Sequence, residues 1–579
     1  MTVSNDVTPT LITVAGTKTY NFGGPAKITG VSQLMDSSSG TLTIANDNNY
    51  TGGTIVTNGA TLSLGDGTSF HGSVEGTVTI SPTGTLQYYY SGPGNGTITL
   101  KNALAGGGTV NYNDANGSIL ATPPTGVSSN FNGIINVQGY TALHASDGNA
   151  GYALGNGSTV NVPSGTQVWL DRSASSYNNT FNISGTGWLG ASPQTGAMRV
   201  FNCTINGPIN LLDNARIGGS INGATIQSVI SGNYQLEVWG NAGSFVLNMG
   251  PTNGLPQAYA STLITSGSIS AANSNAISSG SLTLDVAGDM RLNGNNVTVA
   301  SLISINSGQV TSTTGSTVQN TSTPTPATLI VGTDNSSSEF DGTFLDGGAA
   351  SLGLTKVGTG TLTLTGINTN TGAVTVKGGT LALSGSSSFG KAAVIAPVSG
   401  GTYDVSGAGG TVTLNSGQTL SGNGAVNGAV VAPAGSKVAP GFPMGTLTVS
   451  GNCTVSGIYQ VNLNRTNTPG NCSQLTSSGG SVSYSAATLV ATNIGPKLQA
   501  GDFFQLFPGA TTGFAAYNLQ TSDPANNVVY TWNNTVSSDG RITVASVTTL
   551  VNTNPPQVQV SVSGNTLSLA WPTNAGWTL

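Results

Sequence analysis

Glycines cut Gly358-Thr-Gly-Thr-Leu-Thr-Leu-Thr-Gly366 and Thr371-Gly-Ala-Val-Thr-Val-Lys-Gly-Gly-Thr-Leu-Ala-Leu383 into short alternating segments. Such alternation reads as strand, and no helical stretch lies between the segments. A related copy lies upstream, at Gly40-Thr-Leu-Thr-Ile44 and Thr51-Gly-Gly-Thr-Ile-Val-Thr-Asn-Gly-Ala-Thr-Leu-Ser-Leu64, with its second half one residue longer. One such unit cannot bury its apolar face alone. It closes a core only by stacking on neighbouring copies. The sequence therefore predicts an ordered, all-β solenoid.

Composition agrees. Charged residues are 6% of the 579, against roughly 25% in ordinary soluble domains. Disorder needs high net charge or little apolar content, and the hydrophobic fraction is 37%. Thr, Val and Ile suit strand positions, and Gly and Asn suit tight turns. Buried Asn and Thr are expected to stack in ladders, each bonding to its copy on the next rung. A net charge of -6 with no basic stripe argues against a nucleic-acid partner. No run of 18 apolar residues occurs, so no membrane span is expected. The N-terminus, Met1 to Asp6, has neither a charged nor an apolar leader region, although the composition suggests secretion. The numbering is therefore expected to begin after a removed leader or at an artificial boundary. Cys453 and Cys472 lie about one turn apart, so they are either a disulfide pair across adjacent rungs or two small core residues. Cys203 has no obvious partner.

Four segments are expected. Residues 1–325 hold the first repeat, with strands at Leu11–Val14, Thr41–Ile44, Thr61–Leu64 and 77–80, and then diverged rungs with strands of three to five residues. Residues 326–475, after a Thr/Pro-rich break at 321–328, return to the clear pattern. At roughly 22–25 residues per rung the chain makes about 20 rungs. Residues 476–550 carry longer strands at 487–492, 502–507, 528–532 and 541–547, with Asp539-Gly540 as a hairpin turn. They read as a β-rich C-terminal cap over the open solenoid end. Residues 551–579 read as a linker at 552–556 and the first two strands, 558–562 and 567–571, of a β-sandwich truncated at Leu579.

Residues 354–383 resemble the autotransporter-associated β-strand repeat, also called the passenger-associated transport repeat. The resemblance rests on Leu354 to Gly366, Asn368 to Gly372 and Gly379-Thr-Leu-Ala-Leu383, and residues 40–65 match a second time. Ala439-Pro-Gly441 with Gly445-Thr-Leu-Thr-Val449 is similar to the segment that closes such solenoids. The resemblance implies a right-handed parallel β-helix, secreted or displayed on a bacterial cell surface. The C-terminal residues depart from that family. They lack the alternating membrane strands and aromatic girdle of a translocator barrel, and resemble large secreted proteins of environmental bacteria such as Verrucomicrobia.

Few residues on this frame carry reactive chemistry. Glycoside hydrolysis needs two facing carboxylates, and the chain has three glutamates, Glu75, Glu237 and Glu339. His71 and His144 have no companion at metal or catalytic spacing, and read as loop or groove residues. The best charged constellation is Asp171-Arg172, Asp213 with Arg216, and Asp285, Asp289 with Arg291. Asp171 and Asp213 lie near two rungs apart and could share a face, or could be ordinary solvated turn charges. Glu339, Asp341 and Asp346, with Asp334 nearby, form an acidic loop that is a weak calcium candidate and otherwise a solvated turn. No cofactor is expected, because the glycines are turn glycines rather than a phosphate loop. Tyr88, Tyr89, Tyr90, Trp169, Trp188 and Trp239 fall in the diverged middle. Rings presented there could stack on sugar faces, and otherwise pack under loops. The favoured reading is a secreted or surface-displayed structural or adhesive β-helix. It is non-catalytic and contacts polysaccharide or cell-surface glycans. The alternative is a polysaccharide-active lyase or glycoside hydrolase with its site in the middle rungs.

Overall fold

Strict alternation places every second side chain inside. In Thr41–Ile44, Leu42 and Ile44 are fully buried while Thr41 and Thr43 are half-buried. The same holds in Thr61–Leu64, which runs parallel to it with Leu42 opposite Leu62 and Ile44 opposite Leu64. The downstream copy repeats the arrangement: Thr361–Leu364 lies beside Gly379–Ser384, with Leu362 opposite Leu381 and Leu364 opposite Leu383. The computed structural model describes all residues except 93, 95, 122–127, 129, 146–152, 172–175, 242, 306–314, 442, 468–469, 551–557 and 571–579. The chain is 53% strand and 1% helix, in about 20 solenoid turns of parallel strands.

Two compact units are present. The first comprises residues 1–374 and 379–392, and the second residues 375–378 and 393–579. In the first unit one apolar column runs from rung to rung through Leu62, Leu86, Val110, Ile135, Val160, Phe181, Ile209 and Ile230. All eight are fully buried. A burial of this kind contributes roughly 1.5–3 kcal/mol per large side chain. Beside it, Tyr88 and Tyr112 stack inside at 5.2 Å between ring centroids.

The diverged rungs keep many strands of three to five residues, such as Ala142–Ala145, Thr159–Val162 and Ala224–Ile226, but they also hold four long ones: Ile209–Gly219, Ile230–Gly240, Ala258–Ala271 and Leu282–Arg291. Each turns a solenoid corner without leaving the ladder, because register shifts absorb the bend between Gly232 and Gln235 and between Ile264 and Ser266. Gly232 sits at φ +123°, where a Cβ would come within 2.3 Å of the Leu211 carbonyl oxygen.

In the second unit each rung carries three sides. Val394–Pro397, Thr419–Gly422, Lys437–Pro440, Ile458–Leu463, Ala487–Asn493 and Phe514–Leu519 stack in one parallel sheet. Parallel stacking thus continues to residue 519, past the expected start of the cap. Within the segment expected to be a cap, Phe503–Gln505, Arg541–Thr549, Val528–Asn534 and Ser522–Asp523 form an antiparallel sheet. Its hairpin turns through a short helix, Val536–Asp539, which Gly540 closes at φ 78°. Tyr484 packs against Phe507 at 5.3 Å and Phe514 at 4.5 Å, and Arg465 pairs with Asp502 at 2.7 Å. Gln559–Ser563 and Thr566–Ala570 form an exposed antiparallel hairpin. The expected linker at 552–556 and residue 571 lie outside the described residues. Cys203, Cys453 and Cys472 are free and buried.

Candidate functional site

The outer face of the middle rungs is built by the positions between the buried ones. Asn111, Asn136, Asn161, Asn182 and Asn210 occupy matching positions of successive strands, in register and half-buried. Their amides bond head to tail. Each Nδ2 donates to the Oδ1 of the preceding rung: Asn136 to Asn111 at 2.9 Å, Asn161 to Asn136 at 2.7 Å, Asn182 to Asn161 at 2.7 Å and Asn210 to Asn182 at 2.8 Å. The Ser231 hydroxyl ends the series by donating to Asn210 Oδ1 at 2.7 Å. An asparagine ladder was expected inside the solenoid. The buried asparagines instead bond mainly to backbone, as Asn102 does to Val74 and Gly76, because the interior column is apolar. The ladder stands outside.

Parallel columns flank it. Thr85, Thr109, Ile134, Thr159 and Thr180 run on one side, and Tyr89, Asn113 and Gln138 on the other. None of these positions is charged. A groove of about 260 Å³ lies over the ladder, lined by Asn136, Asn161, Asn182, Gln138, Ser184 and the 57% exposed Leu212, among others. The sequence carries the signal for this column in a recurring apolar–Asn–apolar triplet: Val110-Asn111-Tyr112, Ile135-Asn136-Val137, Val160-Asn161-Val162, Phe181-Asn182-Ile183 and Ile209-Asn210-Leu211. A reading by glycine punctuation passes over it.

A second cluster lies on another face. His144, Trp169 and Arg199 are in register on three adjacent rungs. The imidazole stacks on the indole at 3.9 Å, and Arg199 Cζ lies 3.8 Å from the indole centroid on the following rung. His144 Nε2 is 2.6 Å from Asp171 Oδ2. Burial pulls the Arg199 pKa down, against the opposing pull of Asp171.

The six aromatic residues pack inward or against neighbours rather than forming an exposed row. Tyr88 and Tyr90 point into the core, at 1% and 4% exposure. Trp188 is buried and donates Nε1 to the Tyr140 carbonyl. Trp169 lies between neighbours on both sides. Trp239 is half-buried with Arg216 Cζ 6.0 Å from its ring, and Tyr89 is half-buried beside the Gly67 turn. Asp171 and Asp213 do not share a face. An inserted loop makes that rung long, so Asp171 lies opposite Phe201, while Asp213 is exposed at a corner and accepts from the Asn214 N–H. Arg216 turns instead to Glu237 Oε1 at 2.8 Å and the Gln194 carbonyl at 2.6 Å. Asp289 pairs with Arg291, and Asp285 is buried. Arg172 lies outside the described residues. The acidic loop is not one cluster. Asp346 accepts from the Leu352 and Thr371 N–H groups and the Thr371 hydroxyl, Asp334 from Ser336, and Glu339 and Asp341 are exposed. Among the described residues no group of three or more His, Cys, Asp or Glu could hold a metal ion. No helix there is long and apolar enough to cross a membrane.

Residues 37–64 and 354–383 match the Passenger-associated-transport-repeat family. A comparison with curated proteins gives no match. Among solved structures the chain is similar to the crystal structure of the Haemophilus influenzae Hap adhesin, at 12% identity and a TM-score of 0.38, over 89% of this chain and 64% of that one. The chain thus spans less than two-thirds of that structure's length.

Proposed function

We propose that this chain is a secreted or surface-displayed β-solenoid that acts as an adhesive scaffold toward polysaccharide or cell-surface glycans, without catalysis. The observation that carries the reading is the pairing of two repeat-family segments with a stack of parallel rungs whose middle outer face is an uncharged, hydrogen-bonding surface. Such a face offers many weak polar contacts in a row, which suits attachment. Several charged groups of the middle rungs are paired with neighbours, as Arg216 is with Glu237 and Asp289 with Arg291. The test is adhesion of purified protein to glycan-coated surfaces and bacterial cells, with fractionation of the native host. An absence of adhesion together with a cytoplasmic location would refute the reading.

One observation favours a second reading. The His144–Asp171 contact at 2.6 Å, in the middle rungs, is the kind of pair that can supply a general base to a polysaccharide lyase. Incubation with pectins, alginates and neutral glycans decides it. Product release that disappears in Asp171→Asn would establish catalysis and displace the adhesive reading.

A further inference from the structure

The outward asparagine column raises a chemical question of its own. Asparagine is a poor strand former, and a Thr or Val at the same outward positions would suit the pleat better. Five successive rungs nevertheless carry Asn at the same outward, in-register position. The ladder bonds lie at a half-exposed surface, where water competes for each amide and the net gain per bond is small. Stability alone is therefore a weak reason for the pattern.

The inventory of each amide is more informative. A carboxamide has two N–H donors and two acceptor lone pairs. In Asn136, Asn161 and Asn182 the ladder uses one N–H and one lone pair. One donor and one acceptor remain on each, at the rung spacing of about 4.8 Å. The ladder fixes the amide planes, so these groups are held in one orientation before any ligand arrives. A row of paired donors and acceptors is the complement of a row of hydroxyls, each of which both donates and accepts. The groove of about 260 Å³ lies along this row, and Leu212 supplies exposed apolar surface at its edge.

Charge selects among hydroxyl-bearing polymers. The ladder and its two flanking columns carry no ionic side chain. The exposed charge next to Leu212 in the chain is Asp213, which is negative, and the whole chain carries -6. A uronate or sulfated chain finds no cation on this track.

We propose that the track Asn111–Asn136–Asn161–Asn182–Asn210 is a binding site for a linear, uncharged polysaccharide lying along the solenoid axis. This deepens the adhesive reading above and rests on it. The experiment is affinity electrophoresis of the full chain in gels containing β-glucan, glucomannan or xylan, against polygalacturonate and alginate. At least one neutral glycan is expected to retard the protein, and the anionic ones to retard it less. The triple variant Asn136→Thr/Asn161→Thr/Asn182→Thr removes the spare donor–acceptor pairs while favouring strand. It is expected to weaken retardation by about tenfold or more, with circular dichroism unchanged. Leu212→Glu, at an exposed position that takes no part in the ladder, is expected to weaken it too. Preferred binding of anionic glycans, no retardation by any neutral glycan, or full retardation of both variants overturns the proposal. The cell-adhesion assay separates the two failures. Adhesion that survives in the triple variant sinks only the track, whereas absent adhesion of the unaltered protein sinks the functional reading.

Discussion

Truncating Phe181 to alanine tests whether the molecule is held together rung by rung. Phe181 is fully buried and lies in register between Val160 and Ile209. Removing a core phenylalanine costs about 3–5 kcal/mol. In a compact globule that loss is shared by the whole cooperative unit. In a solenoid, stability is a sum of rung terms and nearest-neighbour interfaces, so the loss stays local. One power of ten in an equilibrium constant is about 1.4 kcal/mol, so local opening should rise by roughly two to three and a half powers of ten. Hydrogen exchange read by mass spectrometry should show the increase in Thr159–Val162, Thr180–Gly185 and the first residues of Ile209–Gly219. Exchange in Thr41–Ile44, and in Ile458–Leu463 of the second unit, should stay at the level of the unaltered protein. The outward neighbour supplies the control. Asn161→Ala removes two half-exposed ladder bonds worth about 1 kcal/mol together, at the low end for a solvated bond. Its effect on the same peptides should be smaller by at least a power of ten. An even rise in exchange across both units after Phe181→Ala, or no rise at 159–185, refutes the nearest-neighbour argument.

Four further outcomes follow from named residues. Asp36 is fully buried, its Oδ2 has no partner, and burial raises its pKa above 3.8 against the opposing bonds from Ser38. The folded state then holds its proton more tightly than the unfolded state, so stability falls as pH rises from about 3.8 through the folded value. The melting-temperature advantage of Asp36→Asn should therefore be largest at neutral pH and should vanish in acid; a constant difference across pH would contradict the assignment. Arg199→Ala uncovers one face of Trp169, so acrylamide quenching of tryptophan fluorescence should increase, with a loss of about 1 kcal/mol in urea melts. Burial pushes the Cys203 and Cys453 thiols up to about 12 and Cys472 up to about 11, so a thiol reagent at neutral pH should label the native protein slowly and all three thiols once it is unfolded. Gln87 lies opposite Asn111 without bonding to it, and Gln87→Asn should extend the ladder by one rung, seen as slower exchange in Thr85–Tyr90.

The repeat was readable because it is written in residues with one structural meaning. The alternation in Thr41–Ile44 and Thr61–Leu64 allows one face inward, and the structure has both strands at those bounds, with Thr361–Leu364 inside the glycine-bounded run 358–366. The diverged rungs were harder for a physical reason. Ile209–Gly219 crosses a corner as one strand, and its exposed Leu212-Asp213-Asn214 bend looks locally like a turn between two strands. What keeps it a strand is pairing on both sides, with residues 180–185 and 230–240, which lie far away in sequence. The charged candidates were misplaced for a related reason. Counting residues assumes rungs of equal length, but the insertion after Thr180–Gly185 lengthens one of them, so Asp171 and Asp213 part while Arg216 meets Glu237.

The ladder shows where side-chain length, rather than pattern, sets the limits of a surface feature. Within Asn111 to Asn210, equal side chains on rungs about 4.8 Å apart hold their amides at equal height, so each Nδ2 meets the Oδ1 of the rung before it. At one end Gln87 continues the amide chemistry, but its extra methylene carries the group past that height and no bond forms. At the other end Ser231 still closes a bond, but Ala258 opposite it has nothing to offer, and the backbone bulges between Gly232 and Gln235. The column therefore has a defined start and stop, although the solenoid continues on both sides of it. The bounded row of five amides is the segment that the proposed glycan track occupies.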